Sequence, residues 1–324
     1  MNNIHTTVID AGGRFGLHPS WSKFKGELNY HLFEPDKIEA DRLIEKYTNR
    51  SDVTISNLAL LDKKKEIRLY HFNNLAMSSC NKRNRMVSWY KGERKHEEDV
   101  IGHSDVESTT IDDYCRENNI NADFLKLDTE GSEYSILKGS ELQLSDNILG
   151  VRSEVSFDYI FDDSALFSTI HDYMLDHGYY LLNIDYDGRG DFKNQAVNCN
   201  NKYGVLMTTD AVWLRRVDWL FDCSRTDLTS KVLKYAVFCM HNNAEDVAIN
   251  VLLSARNDHN IEFNLLEGTG LYIHLDYLMH RHFYSLKWQP AQLISNHQKV
   301  YSDIFSKKML ESHEYNQSIA MNPN

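Results

Sequence analysis

The stretch from Phe124 to Gly139, FLKLDTEGSEYSILKG, constrains the fold more than any other part of this chain. An apolar run stops at Asp128. Three carboxylates (Asp128, Glu130 and Glu133) fall within six residues, and a helical pattern follows Gly131. A buried strand reads this way when it delivers acids to the rim of a sheet and then turns into a helix. Ligands of open α/β sheets bind at the carboxyl ends of strands, so these acids mark where chemistry is expected.

The same alternation runs through the first two-thirds of the sequence. Ile4 to Asp10 reads as a first strand and Leu28 to Glu34 as a second, stopped by Pro35. Asp36 to Tyr47 is helical, with Ile38, Leu43 and Ile44 on its apolar face. Val53 to Leu60 is a third strand, and Ile67 to Phe72 alternates as an edge strand or hairpin arm. A helix over Thr110 to Asn118, a fourth strand over Phe124 to Asp128 and a helix over Glu133 to Ser140 follow. Ile148 to Val155, Tyr179 to Ile184 and Asp210 to Arg215 complete seven strands, with a helix over Leu166 to His177. Strands alternating with helices predict an α/β fold with a mostly parallel sheet. Asn73 to Asp105 is polar and irregular, and reads as a long loop, functional or mobile. Beyond Arg216 only helical patterns appear, over Leu228 to Met240, Ala244 to Arg256, Gly270 to His282 and Gln289 to Glu311. Two domains are therefore expected, residues 1–216 and an all-helical module, residues 217–324.

A formal net charge of -12, from 35 basic and 47 acidic residues, counts against a nucleic-acid binder. The one basic run, from Lys82 and Arg83 through Arg85, Lys91, Arg94 and Lys95, reads as a solvated loop. Cys80, Cys115, Cys199, Cys223 and Cys239 are scattered with no C-x-x-C pair, so neither a zinc ribbon nor a disulfide framework is expected. No apolar run approaches the roughly 20 residues of a membrane span, and no signal peptide is visible. A cytoplasmic location is the expectation.

The first turn, Asp10-Ala-Gly12-Gly13-Arg-Phe-Gly16, lacks the first glycine of the dinucleotide fingerprint. An Asp at a strand end suits a ligand amine better than a pyrophosphate. Gly12 permits close backbone approach or a positive φ angle. Glu34 lies 24 residues past Asp10 at the second strand end, where an acid fits both ribose hydroxyls of an adenosine. Together these favour S-adenosylmethionine over NAD, and disfavour a nicotinamide-dependent oxidoreductase.

Four blocks carry a wider likeness: VIDAGGRFG (Val8 to Gly16), FEPD (Phe33 to Asp36), TIDDYC with FLKLDTEGSEYSILKG, and RSEVSF (Arg152 to Phe157). The chain resembles the FkbM family of S-adenosylmethionine-dependent methyltransferases over Ile4 to Arg216. A late block, from HGYYLLNIDYDG through DAVWLRR, resembles the family's closing strands. Gly13 and Arg14 stand where that family commonly has Ala and Asn. The resemblance implies a class I, Rossmann-like methyltransferase fold with S-adenosylmethionine as cofactor. It places Asp10, Gly12, Gly13 and Gly16 at the methionine side and Glu34 with Pro35 at the ribose. Ala59, Leu60 and Asp62 would border the adenine, and Asp128 the methionine amine or the acceptor.

O-methylation needs help in removing a proton from a poor nucleophile. The candidates are Asp128, Glu130, Glu154 and, from the long loop, His103 or His96. Clustered carboxylates raise one another's pKa, making one a base, or coordinate a divalent cation. Glu133 reads as a solvated helix residue; Lys126 pairs with an acid or reaches to solvent. The segment from Asp185 to Asp191 begins like a calcium loop but has Ala196 where the bidentate acid belongs, so it reads as a turn. His274, His280 and His282 read as ordinary histidines, and Tyr272, Tyr277, Phe283, Tyr284 and Trp288 as packing. By resemblance, the expected acceptor is a hydroxyl of a sugar or polysaccharide precursor. The alternative is a non-catalytic cofactor- or glycan-binding module on the same fold. The helical module would dock substrate, cap the cleft or form a homo-oligomer.

Overall fold

The computed structural model describes residues 4–24, 26–84, 96–185, 206–222, 227–285 and 291–309. In chain order the strands are β1 (Thr6–Ala11), β2 (Leu28–Phe33), β3 (Val53–Ser56), β4 (Ala59–Leu60), β5 (Glu66–Phe72), β6 (Val100–Thr109), β7 (Phe124–Leu127), β8 (Gly150–Ser156), β9 (Tyr179–Ile184) and β10 (Thr208–Arg215). The helices among them are α1 (Pro19–Ser22), α2 (Lys37–Lys46), α3 (Ile111–Asn118), α4 (Glu133–Lys138), α5 (Glu141–Asp146) and α6 (Phe167–Asp176). After the last strand come α7 (Val217–Leu220), α8 (Leu228–His241), α9 (Glu245–Asn257), α10 (Gly270–Ser285) and α11 (Ala291–Phe305).

Seven described strands form the main sheet in the order β3-β2-β1-β7-β8-β10-β9. β1 runs parallel to β7, β7 to β8 and β2 to β3, while β10 runs antiparallel to both β8 and β9. The expected third strand is broken. The Asn57 amide donates to the carbonyls of Glu34 and Pro35 (3.0 and 2.9 Å), and the chain leaves the main sheet there. β4 then joins a second sheet of order β4-β6-β5. The end of the expected irregular loop is β6, paired antiparallel with β5 from Glu66↔Glu107 to Phe72↔Val100. Its positions alternate between exposed and half-buried over most of its length, so no apolar stripe announces it.

One face of the main sheet is apolar. Ile9, Leu125, Leu127, Val151 and Trp213 pack there with Ile111 of α3, Ile136 and Leu137 of α4, and Ile170 and Met174 of α6. Fully burying each such side chain contributes about 1.5–3 kcal/mol. Thr110 caps α3 by accepting from the Asp113 amide (2.9 Å), and Asp36 caps α2 by accepting from the Ile38 amide (3.1 Å). The buried face of α2 is Ala40 and Leu43; Ile38 and Ile44 are exposed, contrary to the periodicity reading. Strand residues alternate between faces. The register Asp10↔Lys126↔Arg152 therefore sets three charged side chains side by side on the face opposite that core.

Two compact units emerge. One holds Thr7–His18 and Asn29–Arg216; the other holds Met1–Thr6, Pro19–Leu28 and Val217–Asn324. The excursion between β1 and β2 thus belongs with the helices rather than with the sheet. In the helical unit, α8 packs on α9 and α10. Trp21 lies edge-on to His241 (centroids 5.1 Å apart) and Phe24 edge-on to His274 (4.7 Å). Tyr272 and Phe283 are buried; Trp288 and the Tyr284 side chain lie outside the described residues. Among the described residues no helix is long and apolar enough to cross a membrane. Cys80, Cys115 and Cys239 are free thiols; Cys199 and Cys223 lie outside the described residues, as does all of the Asp185 to Asp191 turn beyond Asp185.

Candidate active site

The carboxyl ends of β1, β2 and β7 open onto one cleft. Gly12 is what lets β1 and β7 finish so close together. Its φ is +80°, and the Asp128 amide donates to the Ala11 carbonyl at 3.0 Å. Gly12, Arg14, Glu34, Pro35, Ala59, Leu60 and Asp128 all line this cleft. Asp10, Gly13, Gly16 and Asp62 do not. Asp10 is buried behind the cleft, where its Oδ1 lies 3.2 Å from Lys126 Nζ and its Oδ2 accepts from the Tyr30 hydroxyl. The amine that Asp10 was expected to meet in a ligand is supplied by the protein's own lysine. Burial raises the Asp10 pKa, while Lys126 and Tyr30 act in the opposite direction. Lys126 also lies 3.3 Å from Asp128 Oδ2 and is held above the ordinary lysine value despite its burial, by Asp10 and then Asp128.

Glu34 sits at the end of β2, buried yet lining the cleft. Its Oε1 accepts from the Asp36 amide (2.9 Å), and burial pushes its carboxyl up to about 7. Beside it, Leu58, Ala59, Leu60, Leu69, Leu75 and Ala76 make an apolar slot. Leu69 comes from β5 and Leu75 from the start of the expected long loop; neither was among the residues the sequence linked to the site. The Asp62 amide instead donates to Ser135 Oγ (3.1 Å), away from the slot.

The far end of the cleft is built by residues 128–133. Glu130 (φ +57°) and Gly131 (φ +105°) both take the left-handed conformation, which is uncommon for a glutamate. Glu133 holds this turn. Its carboxylate accepts from the Thr129 amide (2.7 Å), the Thr129 hydroxyl (2.8 Å) and the Gly131 amide (3.0 Å). It is buried, so the reading of Glu133 as a solvated helix residue is corrected. The Ser79 hydroxyl donates to the Glu130 carbonyl (2.6 Å) and the Asn81 side-chain Nδ2 to Ser132 Oγ (3.1 Å). Arg83 is buried between Glu98 (2.7 Å) and Glu130 (3.6 Å). It is no solvated loop residue; Arg85, Lys91, Arg94 and Lys95 lie outside the described residues.

Asp128, Glu130 and Glu154 each place a carboxylate oxygen within 4.8 Å of the others. Glu154 is half-buried on β8, opposite Asp210 of β10. Burial, then Glu130 and Asp128, drive its pKa well above the usual carboxylate value. At this spacing three acids share a proton or one hard cation. His103 is not brought to them: it is exposed on β6, opposite Tyr70 of β5. His96 is exposed as well. His18, which sequence reasoning passed over, has its amide 3.2 Å from the Tyr30 hydroxyl. Burial, then the Arg152 charge, hold its imidazole below the ordinary value.

Within the main sheet, a parallel core followed by one antiparallel strand inserted before the last is the arrangement of a class I methyltransferase fold, whose cofactor is S-adenosylmethionine. The cleft fits that cofactor: an acid for the ribose, an apolar slot for the adenine and polar groups beyond. The chain belongs to the family described as the methyltransferase FkbM domain, whose model matches residues 10–181, 172 of the 324. Among solved structures, an FkbM methyltransferase from Methylobacillus flagellatus KT is 15% identical, over 66% of this chain and 44% of that one, with a TM-score of 0.39. A TehB-like SAM-dependent methyltransferase from Corynebacterium glutamicum is 11% identical, over 67% of this chain and 83% of that one, with a TM-score of 0.28. The match thus spans 44% of the length of the Methylobacillus protein. No curated protein matches the sequence.

Proposed function

We propose that this protein transfers a methyl group from S-adenosylmethionine to a hydroxyl, on a sugar or polysaccharide precursor. The observation that carries the reading is the trio Asp128, Glu130 and Glu154, two of whose members, Asp128 and Glu130, line the same cleft as Glu34 and the apolar slot. Glu34 would hold the ribose, and Leu58, Leu60, Leu69 and Leu75 the adenine. The cofactor supplies, when bound, a methyl on a positively charged sulfur that departs as a neutral thioether. The leaving group needs no acid, so the protein's task is to place the acceptor and take its proton. Holding the acceptor oxygen in line accounts for several kcal/mol of the barrier.

Glu154 is the base in this reading. The bound cofactor would supply the methyl and leave as a neutral thioether, and the acceptor's hydroxyl proton would pass to the Glu154 carboxylate. Its raised pKa makes it a better proton acceptor than an exposed glutamate. Asp128 is already paired with Lys126 and Glu130 with Arg83. Lys126 is shared with Asp10 and Arg83 with Glu98, so the trio keeps a negative excess that a shared proton or a divalent cation would offset.

The test is release of demethylated cofactor with mono- and oligosaccharide acceptors, with and without chelator. Turnover on hydroxyl acceptors that is lost in Glu154→Gln supports the proposal. Cofactor binding without turnover on any hydroxyl acceptor overturns it.

A further inference from the structure

We propose that the helical unit carries a second binding site, for a small phosphorylated ligand. The α1 segment, the α8–α9 corner and α10 enclose an open-mouthed cavity of about 730 Å³, within the range of small-molecule sites. Its wall carries Lys23, Arg281 and the imidazoles of His241, His274 and His282. One carboxylate, Glu245, joins them, with its Oε1 3.5 Å from His282 Nδ1. In a chain of net charge -12 this is a local reversal of sign.

The donors are also held in place. His274 is buried, and its Nε2 lies 3.0 Å from His241 Nε2, a distance at which one ring donates to the other. Trp21 and Phe24 pack edge-on against these two rings, at 5.1 and 4.7 Å. Tyr277, which lines the cavity, stacks on His274 at 6.4 Å. These aromatic neighbours fix where the imidazoles point. Lys23 and Arg281 stand at the solvent side, free to reach in.

A phosphoryl group is the chemistry this wall matches. A guanidinium grips its oxygens two at a time and an ammonium adds a point charge, while the imidazole rings line a third side. A carboxylate would need only one such cation, and a neutral sugar none. The cavity is too large for a bare ion, so the phosphoryl group belongs to a larger molecule.

The experiment is calorimetry on the full chain with three probes: inorganic pyrophosphate, glucose 1-phosphate, and vesicles of phosphatidylglycerol in phosphatidylcholine. Binding of either soluble phosphate supports a free phosphorylated metabolite. Binding of vesicles alone supports the same chemistry on a lipid headgroup. In the double variant Lys23→Gln/Arg281→Gln that binding weakens at least about tenfold. The melting temperature and the binding of demethylated cofactor stay unchanged, which separates this site from the methyltransferase cleft. No binding of any probe, or unchanged affinity in the double variant, overturns the proposal.

Discussion

Gly12 and Asp128 meet backbone to backbone: a Cβ on residue 12 would stand 1.7 Å from the Asp128 carbonyl oxygen. No rotamer change relieves a contact with backbone, and the left-handed φ adds strain of its own. Gly12→Ala is therefore expected to destabilise the protein by about 2 kcal/mol or more, read from the urea midpoint. It also displaces Asp128, so cofactor affinity falls with it. A variant of normal stability and normal affinity would mean that the strand ends are looser than described.

Lys126 stands between two acids, one of them 1% exposed. Lys126→Met leaves the Asp10 carboxylate buried without its cation, at an expected cost of about 3–5 kcal/mol. Adding Asp10→Asn to Lys126→Met removes the stranded charge and should recover most of that loss. Chemical denaturation of the two single variants and the double variant gives the coupling directly. Simple additivity would argue that Asp10 is neutral in the folded protein.

The Glu34 carboxyl titrates near 7 in the folded protein, against an ordinary value of 4.5, because it is buried. The folded state holds this proton more tightly than the unfolded chain does. Stability from this group is fully present below about 4.5 and falls as pH rises towards about 7, by about 3 kcal/mol across that window. Glu34→Gln should flatten that slope in thermal melts at graded pH. Cofactor binding has the opposite dependence if the carboxylate holds the ribose: affinity rises as pH passes through about 7. A pH-independent affinity would remove Glu34 from the ribose.

A base must be unprotonated to act. With the Glu154 pKa raised by burial and by Glu130, the acid limb of the kcat profile should lie above the usual carboxylate range. Glu154→Gln should lower kcat by about 10²–10⁴-fold with little change in the cofactor Kd. With Glu154 taking the proton itself, chelator should leave the wild-type rate unchanged. Loss of activity on chelation, restored by magnesium, would reassign the trio to a cation.

Glu133 closes the turn that aims Glu130, through three hydrogen bonds to Thr129 and Gly131. Glu133→Ala should cost about 1–3 kcal/mol in stability and depress kcat, because two backbone donors lose their acceptor. Intact kcat in this variant would show that Glu130 needs no such support.

The main sheet was legible because its strands are short apolar runs ended by Pro35, Gly12 or an acid, and periodicity reports burial. β6 was not, because a strand in a small, partly exposed sheet carries polar residues at nearly every position. Glu34, Ala59, Leu60 and Asp128 reach the cleft as the motif order implied. Asp10 lies behind the cleft instead. Its place at a strand end was readable, but its burial under Lys126 and Tyr30 depends on cross-strand register that spacing along one strand does not reveal. His103 could not be placed for the same kind of reason: a histidine in a polar run has no address until its strand partner is known. Arg83 and Glu133 were set aside as solvated because charged residues usually are; Arg83 is instead buried between acids from distant segments, and Glu133 is buried by the turn it closes.

The excursion between β1 and β2 ties the two halves of this polypeptide together in a way a linear domain map hides. A chain ended after Arg216 would keep Trp21 and Phe24 but lose His241 and His274, against which they lie, leaving two large aromatic rings bare to water. Such a fragment is expected to aggregate rather than behave as a free enzyme half. Evolutionary loss or exchange of the helical half would have to rewrite this early segment at the same time.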